Sequence, residues 1–142
     1  MPNNSYLIDT SAWIFALRKD FIPIIKDRID HLLKQDAVMT TGIIKLEIIS
    51  GAETQKEFQR LKSRFNAFDE IKTDDFLWQE AFELGFKLRR KGLAIPHTDI
   101  LIATCALQTG SIIVHADTYF DMMATHAGLG VESFVQAVRE RI

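Results

Sequence analysis

A short apolar run near the N-terminus ends on an aspartate and passes directly into a helical pattern. Residues 6–8 (Tyr-Leu-Ile) suit a strand that is buried on both faces, and Thr10 with Ser11 suits the cap of a following helix. We therefore expect Asp9 where the strand becomes the helix. A buried strand that continues into a helix is typical of open α/β sheets, which bind ligands at the carboxyl ends of their strands. This stretch predicts both the type of sheet and the edge at which functional groups should converge.

A second apolar run, residues 111–115, is also followed closely by an acid, Asp117. Asp121 lies four residues further on and would share a helical face with Asp117 if a turn of helix forms there. The other strand patterns lie at residues 36–41, 68–71 and 130–133, and the helix patterns at residues 12–17, 21–35, 42–51, 53–65, 75–91, 100–107 and 134–141. Strands that alternate with helices predict a parallel sheet with helices on both faces. The predicted fold class is α/β, a three-layer α/β/α arrangement around a central, mostly parallel sheet of four or five strands.

Length and composition favour a single domain over residues 1–142. With 47% hydrophobic residues, the chain can bury one core but is too short for two ordinary domains. Its 17 basic and 19 acidic residues exclude a strongly basic nucleic-acid binder, although they leave room for a local basic patch.

The same survey predicts a cytoplasmic protein without a membrane segment. The only cysteine, Cys105, lies in an apolar helical pattern and is expected to be a reduced core residue. No stretch reaches the ~18–20 apolar residues of a membrane span, and nothing near the N-terminus resembles a signal peptide.

Two further acids lie on helix patterns where charge is unexpected. Glu47 shares its helical face with apolar and small residues such as Ile44 and Gly51. Asp99 lies on the first turn of a helix that is apolar almost all round, for which Thr98 is the expected cap. Because burial of an unpaired charge is costly, both carboxylates need an explanation.

The four acids Asp9, Glu47, Asp99 and Asp117 are more informative together than singly. Taken singly, each has an ordinary explanation: Asp99 interacts favourably with a helix dipole, Asp117 starts a turn, and Glu47 pairs with a basic residue. In one pocket, however, four carboxylates would repel each other unless a cation lay among them. No His or Cys has the spacing of zinc ligands, so an all-oxygen site for Mg²⁺ or Mn²⁺ is favoured.

Four short segments of the chain resemble the signature segments of PIN-domain nucleases. They are Leu-Ile-Asp-Thr-Ser at residues 7–11, Lys-Leu-Glu-Ile at 45–48, Thr-Asp-Ile-Leu-Ile-Ala at 98–103, and His-Ala-Asp at 115–117 with Phe120. In length and spacing, the chain is most similar to the VapC-type toxins of bacterial and archaeal toxin–antitoxin pairs. The resemblance extends over nearly the whole sequence.

This resemblance implies a metal-dependent endoribonuclease with a PIN-like fold. Such a nuclease would hold one or two Mg²⁺ or Mn²⁺ ions, directly or through water, with the four acids Asp9, Glu47, Asp99 and Asp117. Asp121 is a competing or additional metal ligand beside Asp117. The hydroxyl of Thr10 or Ser11 would orient Asp9 or a metal-bound water. The implied partners are an RNA substrate, a cognate antitoxin and a second copy in a homodimer.

Three other functions remain open at this stage. The chain could be a PIN nuclease of RNA processing without a toxin role. A receiver-like signalling domain also gathers acids around Mg²⁺, but it expects a Lys at the end of a late strand, where this chain has residues 115–117 (His-Ala-Asp). A metal-free binding module would require that the carboxylates pair with arginines.

Overall fold

A parallel sheet organises residues 4–141, the part of the chain that the computed structural model describes. Its five strands are β1 (Tyr6–Ile8), β2 (Val38–Thr41), β3 (Asp69–Ile71), β4 (Ile112–His115) and β5 (Val131–Ser133). The order across the sheet is β3-β2-β1-β4-β5, and each strand is parallel to its neighbours. The prediction of a mostly parallel sheet of four or five strands is therefore confirmed.

Helices flank this sheet, as the three-layer α/β/α prediction requires. They are α1 (Thr10–Leu17), α2 (Pro23–Lys34), α3 (Gly42–Ile49), α4 (Gln55–Asn66), α5 (Asp75–Arg90), α6 (His97–Thr109), α7 (Thr118–Ala127) and α8 (Val135–Arg139). Within residues 4–141, no helix has the combination of length and apolar character that crossing a membrane needs.

The central strand β1 and its neighbour β4 are largely buried, because helices cover both faces of the sheet at its centre. Ile8 of β1 lies opposite Val114 of β4, and both side chains are fully buried. The backbone N–H of Asp9 then donates to the Val114 carbonyl at 2.9 Å, which places Asp9 beside the end of β4. The strand order reverses between these two strands, the position at which α/β sheets open a crevice for ligands.

Helix α6 is the buried helix that the sequence predicts, with every residue from 100 to 106 buried. It leads directly into β4, so it runs back along the sheet and begins at the carboxyl edge. The prediction that Thr98 caps this helix is wrong. The cap position is Pro96, whose ring fixes φ at −56° and which makes no side-chain capping bond, and the helix begins at His97, so Thr98 lies inside the first turn.

Helix α1 also begins earlier than predicted. Its cap is Asp9 itself, because the Asp9 carboxylate accepts the backbone N–H of Ser11. Thr10 and Ser11, the expected caps, occupy the first turn instead. An acid at the cap satisfies one of the free N–H groups that every helix start exposes.

Candidate active site

Asp9 is buried at the carboxyl end of β1, with 4% of its surface exposed. Its Oδ2 atom accepts two hydrogen bonds from Ser11, one from the backbone N–H at 3.0 Å and one from the hydroxyl at 2.6 Å. Burial raises the pKa of Asp9 above its usual value, the two hydrogen bonds oppose this rise, and the charges of Glu47 and Asp117 add to it. Asp9 therefore lies within electrostatic range of two of the other predicted acids.

The hydroxyls of Thr10 and Ser11 each hold a different carboxylate. Thr10 donates from Oγ1 to Oε1 of Glu47 at 2.9 Å, and Ser11 donates to Asp9. The Ser11 hydroxyl also accepts the backbone N–H of Ala116 at 2.9 Å. Ser11 thus connects the end of β1 to the loop after β4.

Glu47 projects from α3 into solvent, so the expectation of a buried glutamate is wrong. Ser50 and Gly51, which lie one turn away on the same side of the helix, are exposed as well. These small neighbours leave the carboxylate open instead of covering it, which is why a sequence pattern that looks apolar does not bury it here.

Asp99 is half-buried on the first turn of α6. Burial raises its pKa from 3.8 to about 7, with further contributions from the charges of Asp117, Asp9 and Glu47, in that order. The four predicted acids therefore interact electrostatically at one edge of the sheet, and these charges add to the effect of burial on Asp99.

Asp117 caps α7, accepting the backbone N–H of Tyr119 at 3.0 Å. Asp121 has different surroundings. One of its oxygens lies 3.1 Å from Nε2 of His115, and the other accepts the hydroxyl of Ser133 at 2.9 Å. It is not among the groups that raise the pKa of Asp99. Asp117 belongs to the acidic group, whereas Asp121 forms a separate polar contact beside it.

Comparison with known proteins gives the family. A sequence model of the PIN domain matches residues 6–125. The chain belongs to the PIN domain family. Ribonuclease VapC51 of Mycobacterium tuberculosis is 30% identical to it over 93% of this chain and 94% of its own length. Ribonuclease VapC11 of the same organism is 32% identical over 90% of this chain and 98% of its own length. The predicted resemblance to VapC-type PIN domains is confirmed.

Solved structures show the same fold. The chain superimposes with a TM-score of 0.73 on VapBC2 from Rickettsia felis bound to a promoter DNA fragment, with 21% identity over 90% of this chain and 97% of the other. It superimposes equally well, at 0.73, on the DNA-bound VapBC complex from Salmonella typhimurium, with 20% identity over 92% and 98% of the two chains.

The donor groups of this PIN domain fit a hard divalent cation. The four acids offer only carboxylate oxygens, the ligands that Mg²⁺ and Mn²⁺ prefer. In residues 4–141, none of the four forms an ion pair with a Lys, Arg or His side chain, so their repulsion is not neutralised by the protein. In the same residues, no three Asp, Glu, His or Cys side chains are close enough to form a ready ligand cluster. A cation would have to draw the carboxylates closer together.

Sequence reasoning did not identify the contacts that His115 and Ser133 make beside this acidic group. His115 is fully buried, although it ends an otherwise apolar strand, and its Nδ1 atom accepts the backbone N–H of Asp117 at 3.1 Å. A polar residue at the end of a buried run was the available signal. Ser133 offered no signal, because its partner Asp121 comes from another part of the chain.

Proposed function

We propose that this chain is a divalent-metal-dependent endoribonuclease and the toxin of a toxin–antitoxin pair. The observation that carries the proposal is the group of four acids, Asp9, Glu47, Asp99 and Asp117, in which burial and then the charges of the other three raise the pKa of Asp99 to about 7. The names of the VapC relatives as ribonucleases support the same activity. The substrate is RNA, and the bond hydrolysed is the phosphodiester.

The four acids are proposed to hold Mg²⁺ or Mn²⁺. When bound, such an ion supplies an activated water and neutralises charge on the phosphoryl and leaving oxygens. Ser11 keeps Oδ2 of Asp9 in place, and Thr10 fixes one oxygen of Glu47. Asp99 must lose its proton to become a ligand, and its pKa of about 7 makes that loss easy to drive at neutral pH.

The test of catalysis is cleavage of a total RNA pool with added Mn²⁺, followed by sequencing of the new ends. We expect Asp9→Asn to fold and to lose cleavage, because the buried carboxylate is then replaced by an amide. Asp27→Asn, which removes an exposed acid from α2, is the matched control and should cleave like the wild type. A folded Asp9→Asn protein that cleaves at the wild-type rate would refute the proposal.

The proposed antitoxin site is a cleft of about 700 Å³ beside Glu47. Its lining combines apolar side chains with the cations Arg18, Lys26, Arg60 and Arg64 and the acids Asp30, Glu47 and Glu57. The apolar lining comes from four helices and includes Ile14, Leu17, Ile29, Leu33, Ile48 and Leu61. This combination fits an amphipathic helix that lays its apolar face on the apolar side chains and its polar face against the charged ones. The neighbours from Rickettsia felis and Salmonella typhimurium are VapBC complexes, which agrees with an antitoxin partner.

A growth assay distinguishes a toxin from a PIN nuclease of RNA processing. Expression of a toxin should arrest growth, and the product of a small neighbouring gene should relieve that arrest. Leu17→Arg, in the cleft, should still arrest growth but should no longer be relieved. Ile24→Arg replaces an exposed apolar residue outside the cleft and is the matched control. Relief of both variants to the same degree would place the antitoxin elsewhere.

A homodimer is proposed through the exposed aromatic stripe on α5. Trp78, Phe82 and Phe86 follow each other at one-turn spacing, and 42%, 59% and 66% of their surfaces are exposed. The first half of α5 is acidic and its last turn is basic. If two copies of α5 pair antiparallel about Phe82, Trp78 meets Phe86 of the other copy, and Asp75 comes opposite Arg89. The stripe is therefore complementary to itself in both shape and charge.

Sedimentation velocity tests the dimer. Phe82→Glu should shift the protein to the monomer, because it puts two like charges at the centre of the symmetric contact. Leu46→Glu is the control, since Leu46 is 64% exposed on α3, away from the stripe. A dimer that survives Phe82→Glu would exclude this surface.

We also propose that residues 1–142 form one domain that works in the cytoplasm. The single sheet includes strands from Tyr6 to Ser133, which supports one folding unit. Cys105 is free and fully buried, which suits a reducing compartment.

A further inference from the structure

His115 is held between the backbone of Asp117 and the carboxylate of Asp121. Because Nδ1 accepts the Asp117 N–H at 3.1 Å, the proton of the neutral ring must lie on Nε2. Nε2 is 3.1 Å from Oδ1 of Asp121. The negative charge of Asp121 at this distance favours a proton on Nε2, which has no hydrogen-bond partner among residues 4–141. In the described part of the chain, Asp121 is the only carboxylate within ion-pair distance of the buried ring.

Asp121 is itself held from the opposite side. Its second oxygen accepts the Ser133 hydroxyl at 2.9 Å, and Ser133 belongs to the edge strand β5. The contacts therefore form a chain that runs from Ser133 through Asp121 and His115 to the backbone of Asp117. The His115 ring also packs against Phe120, with 5.2 Å between ring centroids, which restricts its rotation.

We propose that Asp121 is a positioning residue for the metal site: it fixes the proton of His115 on Nε2, so that Nδ1 can hold the N–H of Asp117 and keep that carboxylate with the other acids. This inference rests on the proposed function. A carboxylate that fixes the orientation and tautomer of a histidine beside a metal site affects metal affinity without binding the metal itself. In this arrangement Asp117 is the fourth acid of the metal site, and Asp121 acts on it only through His115.

The two roles considered for Asp121, metal ligand and positioning residue, predict different effects of a conservative substitution. Asp121→Asn keeps an oxygen that can face Nε2 but removes the negative charge that a ligand needs. Asp121→Ala removes both. A ligand therefore fails in both variants, whereas a positioning residue fails only in the alanine variant. Asp121 is partly exposed, so neither change threatens the fold.

The experiment measures the Mn²⁺ dissociation constant of the RNA-free protein by electron paramagnetic resonance, together with the ring ¹⁵N shifts of His115. We expect Asp121→Ala to weaken Mn²⁺ binding about tenfold and Asp121→Asn by less than about threefold. The His115 spectrum should show one tautomer in the wild type and in Asp121→Asn, and a mixture in Asp121→Ala. Thr125→Ala is the matched control, because Thr125 bonds the backbone carbonyl of Asp121 and does not contact His115.

Each outcome decides a different point. Equal loss of Mn²⁺ binding in Asp121→Ala and Asp121→Asn would overturn the inference in favour of a direct ligand. Unchanged binding in Asp121→Ala, or an equal loss in Thr125→Ala, would also overturn it. Failure of the wild-type protein to bind Mn²⁺ would instead refute the proposed function on which the inference rests.

Discussion

Ser11 connects two parts of the acidic group through a single hydroxyl. It donates to Oδ2 of Asp9 at 2.6 Å and accepts the backbone N–H of Ala116 at 2.9 Å. Removal of this hydroxyl leaves a buried carboxylate short of one donor and a backbone N–H without its acceptor. Losses of this kind cost free energy because the groups are kept from water.

We therefore expect Ser11→Ala to lower the free energy of unfolding by about 1–3 kcal/mol. Urea unfolding in the presence of EDTA measures this change. Ser11→Thr retains a hydroxyl and should keep most of the stability. A loss in Ser11→Ala below about 0.5 kcal/mol, the range of ordinary surface substitutions, would contradict the role given to this hydroxyl.

Asp99 should make the metal-free protein sensitive to pH. Its pKa is about 7 when folded and 3.8 as an ordinary aspartate, so the folded state holds the proton more tightly than the unfolded chain. The stability that this proton contributes is complete below pH 3.8 and is lost as the pH rises to about 7.

Accordingly, the melting temperature in EDTA should fall between about pH 4 and about pH 7, and Asp99→Asn should reduce that fall. Differential scanning calorimetry at a series of pH values measures both. Asp27→Asn leaves the acidic group intact and should keep the wild-type profile. An identical pH profile for wild type and Asp99→Asn would show that Asp99 ionises normally.

For single residues, the sequence predicted which acids lie at the ends of apolar segments better than it predicted what surrounds them. Asp9, Asp99 and Asp117 were predictable because each follows or starts an apolar segment. The exposure of Glu47 was not, because an apolar pattern does not show that Ser50 and Gly51 leave its carboxylate open. The contacts of Asp121 were not either, because they come from other elements of the fold. The Asp121–Ser133 bond, for example, joins the first turn of α7 to the edge strand.

At the level of whole helices, the sequence predicted that a helix begins in a segment better than it predicted which residue caps it. Asp74 caps α5, because its own carboxylate accepts the N–H of Leu77. At α6 the expected Thr98 cap is replaced by Pro96, whose ring fixes φ at −56° and which makes no side-chain capping bond. Local chemistry thus predicted that a helix starts in each segment. It did not decide between two adjacent start signals.

Gly110 ends α6 in the left-handed conformation, with φ of 68°, and so permits the turn into β4. We expect Gly110→Ala to destabilise the protein by about 1–2 kcal/mol, because a Cβ strains this backbone conformation even though no atom lies near it. Gly42→Ala is a matched control on the first residue of α3, where there is also open space and φ is not positive. It should leave stability unchanged or raise it. Chemical denaturation compares the two, and equal effects would exclude the conformational explanation.

For the whole molecule, the pattern of strands and helices predicted the layers but not the strand order. Parallel pairing follows from the intervening helices, whereas the neighbours of β1 depend on which way each crossover turns. Because β4 lies beside β1, on the side opposite β2, Asp9 and Asp117 follow neighbouring strands at the carboxyl edge. No local signal in residues 111–115 encodes that choice.

Metal binding should stabilise the folded protein as a whole. At a Mn²⁺ concentration 100 times the dissociation constant, the gain is about 2.7 kcal/mol, which raises the melting temperature by roughly 5–10 °C. Asp9→Asn should lose this shift, while its metal-free form melts no lower than the wild type, since a buried and repelled charge is removed. Thermal scans with EDTA and with Mn²⁺ test both statements. A wild-type shift retained in Asp9→Asn would count against Asp9 as a ligand.

The pairing of β1 with β4 also determines when activity can begin. These strands lie side by side at the centre of the sheet, but β1 ends at Ile8 and β4 begins only at Ile112. During synthesis on the ribosome, Asp9 and Glu47 therefore emerge long before the strand and the loop that complete their surroundings. Under the proposed function, the active site would be complete only after most of the sequence has been translated.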